Sequence, residues 1–149
     1  MRIEGDREEL MVIGDAAWAE LCVVLDAAEP EVPLHDPDSP DWTSRDVYTH
    51  FVRMHEGSAR AIRYELEHGD QYQWSGLDEN ELNERNVAED RALSFAAARK
   101  RAIEARAAYR ALVARLSDAE FEEIGRRHGD DLLGGHYRGH LDYISAARD

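Results

Sequence analysis

Apolar residues recur along this chain at helical spacing. From about Asp6 to Ala27, the positions Leu10, Ile13, Gly14, Ala17, Trp18, Leu21 and Leu25 follow one another at steps of three and four, which is one face of an α-helix. A second stretch opens at Thr43-Ser44-Arg45-Asp46, where Thr43 suits an N-cap and Asp46 favours the helix dipole. Its stripe is Val47, Phe51, Met54, Ser58, Ile62 and Leu66, and it fails near His68-Gly69-Asp70. Ser94 then offers a cap for a helix reaching about Leu116, with Phe95, Ala98, Ala102, Ala105, Tyr109, Leu112 and Leu116 on one face. Its alanine content favours helix by propensity alone. The last periodic stretch runs from about Leu132 to Ala147 on Leu133, His136, Tyr137, His140, Leu141 and Ile144. Strand alternation is nowhere convincing.

The connections are irregular. All four prolines, Pro30, Pro33, Pro37 and Pro40, fall between the first two helices. They exclude regular helix there and leave either an ordered connection or a mobile flap. The segment from Gln71 reads as a loop leading to a short helix from about Asp78, and Ser117-Asp118-Ala119-Glu120 is a capping-box pattern that should start another short turn. Gly125 and Gly129 break the chain again. Four principal amphipathic helices with long connections and short extra turns predict an all-α four-helix bundle. With no internal repeat, low-complexity tract or linker, residues 1–149 are expected to form a single domain.

Composition narrows the partners. A hydrophobic fraction of 43% suffices for a globular core. Lys and Arg number 18 against 32 Asp and Glu, a formal net charge of −14. Nucleic-acid binding draws most of its affinity from cationic side chains on phosphates, and an anionic membrane repels the same surface. A small molecule or a protein is therefore the expected partner. The single cysteine, Cys22, excludes an intrachain disulfide framework and a thiolate metal cluster. No apolar run approaches the ~18 residues of a membrane span, and the opening MRIEGDREEL lacks the basic and apolar regions of a signal peptide. The cytoplasm is the expected compartment. Val23 and Val24 point outward on the first helix and could supply a homodimer interface.

The candidate chemistry lies in three histidines. His50 falls between Val47 and Met54 at steps of three and four, so it points inward with them. His136 and His140 occupy consecutive core positions of the last helix, at i and i+4, where two imidazoles can reach one ion. Buried imidazoles need partners, and a third from a facing helix completes a three-nitrogen site. Three protein ligands leave one position for water or substrate, the arrangement of catalytic zinc. Nickel, iron or cobalt accept the same ligands.

The segments carrying these residues are similar to a known superfamily. WTSRDVYTHFVRMHEG, from Trp42 to Gly57, resembles the second-helix signature of the DinB-like superfamily, which includes mycothiol-dependent maleylpyruvate isomerases. In those proteins a Trp precedes a helix whose buried His is the first metal ligand. GGHYRGHLDYI, from Gly134 to Ile144, resembles the superfamily's final helix, where a His or Glu and a His four residues on complete the site. The stretch from Asn80 through Arg85-Asn86 to Ser94 resembles the branch with colibactin self-protection proteins. The resemblance implies His50, His136 and His140 as metal ligands. It also implies use of a low-molecular-weight thiol, such as mycothiol or bacillithiol, on small electrophiles. The isomerases carry a further C-terminal domain beyond the fourth helix, which the 149 residues here do not include.

Other candidates have blander explanations. His55-Glu56 is not followed by the second His of a zinc-protease motif, and Glu65-Leu66-Glu67-His68 is a lone match to a di-iron pattern that needs two. His55, five residues after His50, turns away from it and is expected behind the ligands or at the surface. His35 could flank a pocket mouth, and His128, in a loop, is expected in solvent. Cys22 suits a small buried thiol. Trp42, Tyr72, Trp74 and Tyr137 could line an apolar pocket over the metal or pack at bundle ends. Gly134 and Gly135 either open space beside the first ligand of the last helix or mark its start. The acidic residues from Asp78 to Asp90 favour helix dipoles and solubility. With the resemblance added, two functions are expected. One is a metal-dependent enzyme activating a thiol or water against a small electrophile, for which the resemblance implies detoxification or stress metabolism. The other is a non-catalytic bundle binding a reactive small molecule, which the resemblance to self-protection proteins implies.

Overall fold

The computed structural model describes residues 4–36, 39–129, 132–133 and 135–148, with side chains as far as Ile144. Helices follow one another as α1 (Arg7–Ala27), α2 (Ser44–His68), α3 (Glu79–Asp90), α4 (Phe95–Arg115), the single turn α5 (Asp118–Glu120) and α6 (Gly135–Arg148). A π-helical turn over Phe121–Gly125 continues α5. No strand occurs among the described residues. The four long periodic stretches are α1, α2, α4 and α6, and they make the bundle: α2 packs most extensively on α4, and α1 on α6.

Local chemistry sets the helix ends. The Asp6 carboxylate caps α1 by accepting from the Glu9 amide. At α2, Thr43 and Asp46 form a reciprocal capping box, satisfying two amides that the first turn leaves without helical partners. The helix stops at Gly69, whose φ of 75° is the left-handed conformation that glycine adopts without a Cβ clash. Asp78 and Ser94 cap α3 and α4, and Ser117 with Glu120 forms a second capping box at α5. Arg53 of α2 reaches Asp90 and Glu89 of α3, so part of the acidic run ties the short helix to the bundle.

The core has two apolar halves with a polar layer between them. One half contains Trp18, Leu21, Val47, Phe51, Ala102 and Leu141. The other contains Met11, Ala59, Ile62, Tyr109, Leu112 and Leu133. Between them each bundle helix contributes one polar residue: Asp15, His55, Arg106 and Tyr137. Arg106 Nε donates to the Tyr137 oxygen at 3.1 Å, that hydroxyl meets His55 Nε2 at 2.7 Å, and Arg106 Nη2 donates to Asp15 at 2.8 Å. Beside this layer Gly14 lets α1 approach the chain before α6. A Cβ there would stand 2.0 Å from the Leu132 carbonyl oxygen.

Several positions differ from the periodic expectation. Ile13 is 51% exposed, because the α1 stripe turns on Met11 and Gly14. Leu66 is exposed near the end of α2, and Val24 packs on the core, leaving Val23 as the outward valine of that pair. The last helix begins at Gly135, with Leu132 and Leu133 buried in the turn before it. Gly134 and Pro37 lie outside the described residues.

Candidate metal centre

His50 enters the core from the second turn of α2, and His136 and His140 enter from the first turns of α6. The Nε2 atoms of His50 and His136 stand 3.2 Å apart, and those of His136 and His140 stand 3.1 Å apart. One ligand nitrogen from each of the three lies within 4.8 Å of the others. Metal–nitrogen bonds of about 2.0–2.1 Å place tetrahedral ligands about 3.3–3.4 Å apart, so the two shortest separations approach coordination edges. Hydrogen bonding alone serves this arrangement poorly. His136 Nε2 faces two other Nε2 atoms but carries one hydrogen or one lone pair, whereas a cation accepts a lone pair from all three.

Electrostatics favour the same form. Burial, and after it the imidazoles of His136, His140 and His55, hold His50 well below the usual imidazole range. It is therefore neutral at physiological pH, the protonation state a metal ligand requires.

Aromatic rings enclose the cluster. The Phe51 ring centroid lies 4.8 Å from that of His136 and 5.3 Å from those of His50 and His140, so one side chain floors all three. Trp42, 2% exposed, packs on His50 at 5.0 Å. Behind His140, the Asp36 carboxylate lies 3.4 Å from Nδ1. Neither Phe51 nor Asp36 stands out in the sequence as a site residue. Phe51 reads as ordinary core, and Asp36 sits in an aperiodic connection. The only available signal for the second is that an Asp lies a few residues before the Trp of the α2 signature.

The remaining candidates separate. His55 is fully buried and bonded to Tyr137, which puts it in the polar layer behind the cluster, away from the surface. His128, expected in solvent, has a largely buried side chain in contact with the Glu65 carboxylate, which Arg127 also engages at 2.6 Å. That pairing occupies Glu65, while His68 is exposed and stacks on Tyr64, so the two build no common site. His35 is exposed, and Cys22 is half-buried beside Tyr48. Trp42 and Tyr137 adjoin the histidines or the layer below them. Tyr72 and Trp74 instead line a cleft of about 1220 Å³ along α2 and α3, together with Met54 and Asn86. Met54 is one helical turn beyond His50.

These features define a helical bundle with an internal three-histidine centre. The profile of the DinB superfamily matches residues 14–141, a span that takes in all three histidines. The chain belongs to the DinB superfamily. Comparison with curated proteins and with solved structures gave no match.

Proposed function

We propose that this chain is a divalent-metal-dependent enzyme in which His50, His136 and His140 hold the ion and a low-molecular-weight thiol or water attacks a small electrophile. The observation that carries this reading is the convergence of three imidazole nitrogens from two helices on one point. Zinc is the expected metal, and nickel, iron or cobalt suit the same donors. A bound ion supplies Lewis acidity, lowering the pKa of a thiol or water at its remaining position. The chain's residues do the rest. Phe51 and Trp42 keep bulk water from the ligands, which strengthens electrostatic interactions in the site. His50, held neutral by burial, brings no charge of its own to the donor set. The mycothiol or bacillithiol type of thiol, and a setting in detoxification or stress metabolism in the cytoplasm, are part of this proposal, and membership of the DinB superfamily is what supports the choice of chemistry.

Turnover tests the proposal. Zinc-loaded protein is given monochlorobimane with mycothiol, bacillithiol or glutathione in turn, and a parallel panel of esters and lactones without thiol. The expected result is many turnovers per chain, lost on chelation, restored by metal and missing from a His136→Ala, His140→Ala variant. Consumption of a single equivalent with or without metal would instead identify a sequestering protein and overturn the enzyme reading.

A further inference from the structure

Resting on the metal-binding role proposed above, we infer that Asp36 is the positioning residue of the centre. Its buried carboxylate fixes His140 in the tautomer that turns the Nε2 lone pair toward the ion. Asp36 is 4% exposed, and its Oδ2 atom lies 3.4 Å from His140 Nδ1. A carboxylate beside one ring nitrogen favours hydrogen on that nitrogen. A neutral imidazole has only one such hydrogen, so the other nitrogen keeps its lone pair. That other nitrogen is Nε2, the atom standing 3.1 Å from His136 Nε2 inside the cluster. The opposite tautomer would set the Nδ1 lone pair against a carboxylate and aim an N–H into the space where the ion belongs.

The connection between α1 and α2 is built to deliver this carboxylate. His35 takes a φ of 60°, a left-handed conformation uncommon outside glycine, and the next residue turns inward. The Leu34 amide donates to the Trp42 carbonyl at 2.8 Å, which ties the residue two before Asp36 to the residue that packs on His50. One connection thus touches ligands from two helices: Trp42 on His50 of α2, and Asp36 on His140 of α6. Strain at His35 and burial of Asp36 have a common explanation if the segment's task is to hold those two rings.

Zinc affinity measured by competition with a chromophoric chelator tests the assignment, on the parent chain, Asp36→Ala, Asp36→Asn and Leu34→Ala. Leu34 packs on the core and loosens the same connection without removing the carboxylate. Asp36→Ala is expected to bind zinc about 10–100-fold more weakly, the usual effect of losing such a partner. Asp36→Asn, which keeps an acceptor oxygen, should recover part of that loss. Leu34→Ala should lower the melting temperature while its affinity stays within about threefold of the parent. The visible bands of the cobalt-substituted protein should change in Asp36→Ala and not in Leu34→Ala. Parent-like affinity in Asp36→Ala, or an equal loss in Leu34→Ala, overturns the positioning role and leaves the metal site standing. A parent chain that binds no zinc overturns both.

Discussion

Replacing Tyr137 by Phe tests the polar layer beneath the histidines with a single atom. The ring lies 5.1 Å from Trp18 and 5.2 Å from Phe51, centroid to centroid, and Phe keeps both contacts. The hydroxyl is lost, and with it the acceptor of the Arg106 Nε–H at 3.1 Å and the partner of His55 Nε2 at 2.7 Å. Depriving a buried polar group of its partner costs about 1–3 kcal/mol, more when it is charged. Arg106 retains Asp15 through Nη2, which softens its share. A destabilisation of about 3 kcal/mol follows, a large part of the ~5–15 kcal/mol that holds a domain together. For a chain of this length it lowers the melting temperature by about 6–12 °C. Urea titration of the metal-free protein by circular dichroism should show a lower midpoint with an unchanged slope. Adding His55→Leu should recover part of the loss, because removing both partners leaves fewer stranded groups. A Tyr137→Phe chain within about 0.5 kcal/mol of the parent would refute the layer's role, as would a double variant whose loss is simply the sum of the two singles.

Three further outcomes are expected. Gly14→Ala should destabilise the protein by about 2–3 kcal/mol in the same titration, since the new methyl meets the backbone oxygen of Leu132, which cannot rotate away. A neutral cost would mean that α1 and the turn before α6 are not held at this approach. The lowered pKa of His50 makes protonation favour the unfolded chain. Stability present above about pH 6.5, the unfolded value, should therefore fall as pH drops toward about 5 in chelator-treated protein, and a flat midpoint over that window would contradict it. Burial raises the Cys22 thiol, with the Tyr48 hydrogen bond offsetting it in part. A disulfide reagent should label it much more slowly in native protein than in urea, and equal rates would count against burial of the thiol.

How much of this was legible in the sequence depends on whether the signal was local. The N-caps at Thr43, Ser94 and Ser117 are written within four residues of the helix they start, and all three appear where expected. His136 and His140 were legible for the same reason, since i, i+4 spacing on one stripe is a property of one helix. His50 followed from its own inward stripe on α2, whereas the meeting of the two helices at one point is tertiary. Ile13 was misplaced because it and Gly14 both continue the stripe at helical steps, and only the approach of Leu132 to Gly14 shows which of the two faces the core. His128 and Glu65 are 63 residues apart, so no periodicity could pair them. Asp36 was hidden more deeply. It reaches His140 through an irregular connection whose turn depends on one left-handed residue, and neither propensity nor spacing encodes that path.

The most direct test of the central claim is the metal content of purified, untagged protein by mass spectrometry, beside the His136→Ala, His140→Ala variant. The three-histidine centre predicts a near-stoichiometric divalent metal in the parent and its loss in the variant, with the helical circular-dichroism signal retained. A parent chain that stays empty after incubation with zinc or nickel would contradict it. His50, His136 and His140 would then be polar core residues, bonded to one another through shared protons.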